Sequence, residues 1–363
     1  MLPVRSCRTA AKESEKWQRA AAGVLSKREA AVSEVLLDVR HLKTEFITDE
    51  KAVTAVNDVS FTIGKQETFG LIGESGCGKS VTCRSLLQIL KDPGKVTGGE
   101  ILFHGKDLRK MPEAELREIR GRHIGMIFQE PMTTLNPVET IGKQIMESFK
   151  EKMSRKEKEE EAVKLMQMVG IPSAKERLSA YPHQFSGGMR QRAMIAIALA
   201  SRPELLLADE PTTALDVTVQ EQIIRLLEEL QKNLGMSIVM VTHDLGVASE
   251  ICDRIAVMYA GRIMELAPAG ELFRNPLNPY TYDLLRSIPS MERKGKKLYS
   301  IEGTPPALDQ MPKGCPFAPR CELAGDRCRE EVPELLETAE GHFTRCFYRE
   351  KLEEMRGKEA DHG

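Results

Sequence analysis

The sequence has few aromatic residues, no long apolar run and almost no net charge. Its 363 residues include one tryptophan and carry a formal net charge of −2. A balanced charge gives no general attraction to nucleic acid or to an anionic membrane. Because no stretch of about 18 apolar residues occurs, we expect no helix that spans a bilayer. The charged N-terminus also lacks the apolar core of a secretory signal, so we expect a cytosolic protein.

Cysteine is present in number, but a cytosolic chain is not expected to use it as a disulfide framework. Four of the eight cysteines lie in a tail that is rich in proline and begins after residue 267. We therefore predict three parts: a flexible, charged extension over residues 1–34, a main domain over 35–267, and a C-terminal module over 268–363. The module is too small for a large core, so its stability needs another source.

Short apolar segments alternate with amphipathic ones through the main domain. Residues 68–72, 205–208 and 237–241 are continuous apolar runs, as strands buried on both faces require. This alternation predicts an α/β fold around a mainly parallel sheet. Before it, residues 35–39 and 53–63 read as antiparallel strands, with Asn57 and Asp58 as turn residues.

Residues 73–80 read GESGCGKS and have the form GxxxxGK[ST] of a phosphate-binding loop. A predicted strand precedes the loop and a predicted helix follows it, which is the context that supports nucleotide binding. Lys79 would add positive charge near the phosphates, and the Ser80 hydroxyl would bind Mg²⁺. Cys77 is expected to be exposed to alkylating reagents. The predicted binding residues of the loop are Gly73, Glu74, Ser75, Gly76, Cys77, Gly78, Lys79 and Ser80.

Acidic and polar side chains follow three further predicted strands. Asp209 and Glu210 come directly after the apolar run 205–208, at the edge of a parallel sheet where ligands bind. We expect Asp209 to hold Mg²⁺ and Glu210 to activate water as a general base. His243 is expected to contact the γ-phosphate. Gln129 would orient water or serve as a metal ligand.

Residues 186–188, Ser-Gly-Gly, form a second device for binding an anion. They lie at the start of a predicted helix, where free N–H groups and partial positive charge suit a phosphate. One nucleotide needs only one phosphate loop. A chain with two such devices is best explained by two subunits that enclose nucleotide between them.

In this order and spacing, the motifs at 73–80, 129, 186–188, 209–210, 214–216 and 243 resemble those of the ATP-binding subunit of an ABC transporter. The resemblance covers about residues 35–265. It implies a P-loop NTPase cassette with a parallel-sheet core, an antiparallel β subdomain and a helical subdomain at about 130–190. It also implies that ATP and Mg²⁺ bind, and that Ser186, Gly187 and Gly188 close on the ATP of a partner.

The same resemblance adds two residues to the predicted nucleotide site. Asp216 belongs to the motif at 214–216, and Phe46 resembles the aromatic residue that stacks on adenine. The alternative for Phe46 is an ordinary core aromatic in a strand. Met189 departs from the residue that the family often has after the two glycines, whereas residues 186–188 are intact.

Three further segments, 128–137, 275–281 and 303–306, resemble those of oligopeptide and dipeptide importers, and nickel importers share much of the pattern. The resemblance implies an ATPase that energises the import of a solute. We favour peptides as that solute, with nickel or another solute as the alternative. Its implied partners are a second, different ATPase subunit, two membrane permease subunits and an extracytoplasmic solute-binding protein, with no nucleic acid. The chain would then lie peripherally on the cytoplasmic face of the cell membrane.

Two other functions compete with transport. A non-transport ABC ATPase usually carries two cassettes or a long coiled-coil insertion, and this sequence shows neither. A module that holds ATP without turning it over would not need Glu210 and His243. Both residues are present, so we favour hydrolysis.

The tail cysteines have the spacing C-x5-C-x6-C-x17-C. Thiolates bind Zn²⁺ or iron–sulfur clusters, and this spacing is not the paired C-x2-C of common zinc ribbons. The similar tail of peptide importers implies a [4Fe–4S] cluster, with Zn²⁺ or unliganded thiols as the alternatives. The predicted ligands are Cys315, Cys321, Cys328 and Cys346.

Overall fold

The computed structural model describes residues 34–49, 51–213, 215–288 and 299–361. Except for Glu34, the predicted N-terminal extension lies outside this part of the chain, as does Ala214 of the motif at 214–216. The strands are β1 (Val35–Ile47), β2 (Ala52–Gly64), β3 (Thr68–Ile72), β4 (Gly94–Phe103), β5 (Lys106–Asp107), β6 (Ile124–Ile127), β7 (Leu205–Asp209), β8 (Ser237–Thr242), β9 (Arg254–Tyr259), β10 (Arg262–Pro268), β11 (Leu336–Ala339) and β12 (His342–Thr344).

The helices lie mostly between these strands. They are α1 (Lys79–Leu86), α2 (Glu113–Arg122), α3 (Pro131–Thr134), α4 (Ile141–Glu147), α5 (Arg155–Met168), α6 (Ala174–Arg177), α7 (Gly187–Leu199), α8 (Val217–Leu234), α9 (Leu245–Ile251), α10 (Ala269–Arg274), α11 (Pro279–Arg286), α12 (Asp326–Glu330) and α13 (Arg349–Asp361). Within the described ranges, none of them is long and apolar enough to cross a membrane.

A small antiparallel sheet has the strand order β2-β1-β4-β5. The predicted turn at Asn57 and Asp58 is wrong, because β2 continues through both residues as a strand of 13 residues. The chain accommodates these polar residues with an irregularity in the β1–β2 pairing and a left-handed backbone at Asp58 (φ 59°). A local break in register thus replaces the predicted reversal of the chain.

The large sheet has the order β11-β12-β10-β9-β3-β8-β7-β6. Its centre, from β9 through β3, β8 and β7 to β6, is parallel, as the apolar runs predict. Side chains alternate between two cores: Leu206 and Ala208 of β7 face one core, whereas Leu205 and Leu207 face the other. Burial on both faces explains why the strand sequence shows no polar alternation.

The C-terminal tail differs from the separate module that its composition predicts. Strand β12 pairs with β10, and β11 pairs with β12, so the tail extends the large sheet. The buried carboxylate of Glu265 in β10 accepts hydrogen bonds from the backbone N–H groups of Leu277 and Asn278, at 2.6 and 3.1 Å, and lies 2.7 Å from His342 Nε2. The tail therefore draws its stability from the core of the main domain.

Helices α3 to α6 lie between β6 and α7, in the region predicted to be a helical subdomain. Helix α5 begins with a capping box, in which Ser154 Oγ accepts from Glu157 N–H and the Glu157 carboxylate accepts from Ser154 N–H. The buried stripe that holds α5 in place consists of Ala162, Leu165, Met166 and, just after its end, Val169. Charged residues occupy the other face of the helix.

Candidate nucleotide site

The loop at 73–80 joins the end of β3 to the start of α1. Gly73 and Gly78 have left-handed backbones, with φ of 150° and 107°. A β-carbon would lie 2.1 Å from the carbonyl oxygen of Met258 at Gly73, and 2.6 Å from that of Ala55 at Gly78. Both the backbone conformation and the available space therefore require glycine at these positions.

Lys79 is buried, with 4% of its surface exposed, and its side chain curls back over the loop. Its Nζ donates hydrogen bonds to the carbonyl oxygens of Gly73 and Glu74, at 2.8 and 2.9 Å. Ser75 and Gly76, at the tip of the loop, are exposed. The ammonium group is thus held inside a loop whose outer backbone is open to a ligand.

Cys77 does not have the exposed thiol expected from the sequence. Its exposed fraction is 4%, and its Sγ lies 3.8 Å from Lys79 Nζ. Burial raises the pKa of the Cys77 thiol, which disfavours the reactive thiolate. We therefore no longer expect rapid alkylation at this position.

Asp209 ends β7 directly beside α1, where the sequence predicts a Mg²⁺ ligand. Ser80 Oγ donates to Asp209 Oδ1 at 2.7 Å, and Asp209 Oδ2 is buried with no hydrogen-bond partner among the described residues. Burial raises the pKa of the Asp209 carboxyl. An unpaired buried acceptor beside a hydroxyl offers the oxygen ligands that Mg²⁺ prefers, so these residues fit the ion.

Three polar residues surround the Glu210 carboxylate: the predicted Gln129 and His243, and Thr213, which was not predicted. Oε2 accepts hydrogen bonds from Gln129 Nε2 at 3.0 Å and from Thr213 Oγ1 at 2.9 Å, and Oε1 lies 3.5 Å from His243 Nδ1. Its backbone is left-handed (φ 47°) and is fixed by an N–H bond to the Val241 carbonyl. The structure therefore brings Gln129, Glu210 and His243 together.

Thr213 is the residue of this group that the sequence analysis missed. It lies three positions after Glu210 in a run of turn residues, where a hydroxyl usually caps backbone groups. The only signal was this short spacing, which allows a reverse turn to bring the hydroxyl back to the carboxylate. The backbone bond from Thr213 N–H to the Glu210 carbonyl, at 3.2 Å, forms that turn.

Ser186 directly precedes α7, which begins with Gly187 and Gly188, and Asp216 directly precedes α8. Ser186 Oγ accepts from Met189 N–H at 3.3 Å, and Asp216 Oδ1 accepts from Val219 N–H at 3.0 Å, so both side chains cap helices. Val219 also lies against Gly188. Ser186 and Gly187 are exposed, and the side chains nearest the two glycines are Leu215, just before α8, and Val219 within it, rather than residues of the loop at 73–80.

Comparison with known proteins decides the family. The profile described as ABC transporter matches residues 56–213, and the oligopeptide/dipeptide transporter C-terminal region matches residues 264–328. The chain is 48% identical to the oligopeptide transport ATP-binding protein OppD of Salmonella typhimurium over 315 residues, which are 86% of this chain and 93% of that protein. The chain belongs to the ABC transporter family of ATP-binding proteins.

Further relatives agree with this assignment. OppD of Escherichia coli is 47% identical over 317 residues, which are 87% of this chain and 94% of that protein. A solved ATP-binding cassette, described as a dimeric post-hydrolysis state bound to ADP and phosphate, superposes with a TM-score of 0.58 at 28% identity. The superposition covers 64% of this chain and 98% of the solved chain. The predicted ABC cassette fold and the predicted ATPase are therefore confirmed.

Phe46 lies near the end of β1 in this cassette and is half-buried. Its ring lies directly over Gly94, at 3.0 Å from where a β-carbon would stand. The Phe46 ring thus packs against the neighbouring strand β4, and part of the residue stays accessible. Adenine stacking by Phe46 stays a prediction.

The four tail cysteines line one cavity of about 20 Å³, together with Phe317 and Tyr348. Burial raises the pKa of the Cys321 and Cys346 thiols to about 12. In the described ranges, no group of three or more His, Cys, Asp or Glu side chains is arranged to hold a metal ion. The four thiols thus converge on one cavity without forming a metal site as they stand, so the cluster and the zinc ion stay predictions.

Proposed function

We propose that this chain is the ATP-hydrolysing subunit of an importer for peptides. One observation carries the proposal: the chain aligns with nearly the whole length of two oligopeptide transport ATP-binding proteins, 93% and 94% of them. The match of residues 264–328 to an oligopeptide/dipeptide transporter region supports it, because that region lies outside the shared ATPase core.

In the proposed reaction, Glu210 accepts a proton from a water molecule that attacks the γ-phosphorus in line with the departing ADP. The contacts of Glu210 with Gln129 and Thr213 fix its carboxylate, and His243 lies beside it to contact the phosphate. Lys79 supplies positive charge to the β- and γ-phosphates. Ser80 and Asp209 would hold Mg²⁺, which neutralises phosphate charge when it is bound.

We further propose that the segment Ser186–Gly188, whose first two residues are exposed, binds the γ-phosphate of ATP held by a second ATPase subunit. Its exposure at a helix start supports this role, as does the dimeric state of the solved cassette. We expect the second subunit to be a different chain. The complete importer would add two permease subunits and a solute-binding protein, with this chain peripheral on the cytoplasmic membrane face.

Transport by the assembled complex in liposomes tests this function. We expect uptake of a labelled oligopeptide only when ATP is present on the side of the membrane where this subunit lies. A non-hydrolysable ATP analogue serves as the matched control and should give no uptake. Uptake of Ni²⁺ with no uptake of peptide would replace the peptide by nickel as the solute, and no uptake of either would contradict the proposal.

We propose in addition that the tail cysteines bind a [4Fe–4S] cluster, with Zn²⁺ as the alternative. Convergence of four thiols on one cavity supports a shared ligand. The cavity has space for about one water molecule, so a cluster requires the cysteine segments to move apart.

Iron, acid-labile sulfide and zinc analysis of the anaerobically purified chain decides between these ligands. We expect about four iron and four sulfide per chain, because a cubane cluster has that composition. Cys321→Ser should lose them, whereas Cys83→Ala, which removes a buried thiol outside the tail, should keep them. Stoichiometric zinc without iron would establish the alternative. If the chain contains neither metal, the thiols are unliganded.

A further inference from the structure

The tail contacts the phosphate loop directly through Arg320. Its Nη1 and Nη2 donate to the two carboxylate oxygens of Glu74, at 2.7 and 3.1 Å. The Arg320 side chain is 5% exposed and that of Glu74 is 27% exposed. This is a largely buried, two-pronged ion pair between residues 246 positions apart in the sequence. Such pairs fix geometry as well as charge.

Every N–H group of the Arg320 guanidinium has an acceptor. Beyond the two bonds to Glu74, Nε donates to the Glu302 carbonyl at 3.0 Å, Nη1 to the Tyr259 hydroxyl at 3.2 Å, and Nη2 to the Ile301 carbonyl at 3.5 Å. A guanidinium has five donors in a fixed plane, whereas lysine has three on one atom. The site is therefore specific for arginine.

Tyr280 holds the same loop residue from a second direction. The backbone N–H of Glu74 donates to the Tyr280 hydroxyl at 3.1 Å. The ring of Tyr280 is fully buried and packs on Tyr259 and Phe317, with centroids 4.6 and 5.2 Å away. A rigid aromatic cluster thus supports the hydroxyl that fixes the loop backbone.

Glu74 is consequently held on three sides. Its carboxylate binds Arg320, its N–H binds Tyr280, and its carbonyl accepts from Lys79 Nζ at 2.9 Å. We propose that Arg320 and Tyr280 are positioning residues for ATP, through which the C-terminal tail sets the shape and charge of the phosphate loop. The inference rests on the proposed role of residues 73–80 in binding ATP.

Two physical effects are expected from Arg320. The ion pair and the hydrogen bond restrain the backbone at Glu74, so less ordering is needed when phosphate binds. The guanidinium also balances a carboxylate that would otherwise lie unpaired beside a triphosphate and repel it. Loss of Arg320 should therefore weaken ATP binding more than it slows the chemical step.

The test uses the full-length chain with Mg²⁺, measuring equilibrium binding of mant-ATP together with KM and kcat for ATP. We expect Arg320→Met to raise the Kd for mant-ATP and the KM for ATP about tenfold, with kcat within about threefold of wild type. A merely structural role would reduce the active fraction and leave the affinity of the remainder unchanged. The control is Arg327→Met, which removes an exposed tail pair with Glu331.

A double variant separates the two effects. If unbalanced charge is the main cause, Arg320→Met combined with Glu74→Gln should recover most of the lost affinity. Little recovery would assign the effect to loop restraint, which equally supports positioning. Tyr280→Phe, which removes one hydroxyl, should raise the Kd about threefold, and it decides the matter should Arg320→Met fail to fold.

Arg320→Met or Tyr280→Phe with the same ATP affinity as Arg327→Met would overturn the inference. Lys79→Met distinguishes this result from failure of the proposed function. If Lys79→Met loses mant-ATP binding while the tail variants keep it, only the positioning role is wrong. If Lys79→Met binds normally, residues 73–80 are not the phosphate loop, and both the function and the inference fall.

Discussion

The hydroxyl of Thr213 gives a sharp test of how Glu210 is held. It donates to Glu210 Oε2 at 2.9 Å, and Gln129 Nε2 binds the same oxygen at 3.0 Å. A hydrogen bond to a charged group contributes about 1.5–3 kcal/mol. Since Thr213 is half-buried and Gln129 remains, we take the lower end, about 1.5 kcal/mol. Thr213→Val should then lower kcat about tenfold.

The assay is steady-state ATP hydrolysis, with mant-ATP binding measured in parallel. KM should change little, because the lost contact orients the base rather than the nucleotide. The matched control is Thr212→Val, which changes a buried threonine next to it in the sequence. Wild-type kcat in Thr213→Val, or an equal loss in Thr212→Val, would refute the view that this hydroxyl positions Glu210.

Three more predictions concern the loop, the metal ligand and the helical region. Lys79→Met should abolish detectable mant-ATP binding, since it removes the cation of the phosphate loop. Burial raises the pKa of the Asp209 carboxyl above 3.8. The contribution of this carboxyl to the free energy of unfolding therefore falls as the pH rises from 3.8 through the raised pKa. Asp209→Asn should abolish this decline in pH-dependent thermal unfolding and weaken Mg²⁺-dependent ATP binding at neutral pH. Ser154→Ala should lower the free energy of unfolding by about 1 kcal/mol in urea, because it breaks the capping box, whereas the exposed Ser179→Ala should change it little.

Local sequence predicted the parts of the site whose signal is contiguous. The loop at 73–80 lies between a strand and a helix, and Asp209 ends a buried strand, as expected. Gln129 and His243 follow strands that reach the same edge of one sheet, so their approach to Glu210 followed from topology alone. Parallel strands bring their carboxyl ends together whatever the details of side-chain packing.

The contacts that sequence missed are those made across long separations or by weak patterns. Tyr280 and Arg320 lie 206 and 246 positions from Glu74, and no spacing rule links them to it. Strands β11 and β12 have only four and three residues, too few to show alternation, so the tail seemed separate from the sheet it joins. Their pairing is decided by tertiary packing against β10.

Glu210→Gln tests the central claim, that this chain hydrolyses ATP with Glu210 as the base. Glutamine preserves the shape of the side chain but cannot accept the proton from water. We expect mant-ATP to bind with wild-type affinity, while ATP turnover falls at least about 100-fold. Turnover at the wild-type rate, with nucleotide bound as tightly, would contradict the account.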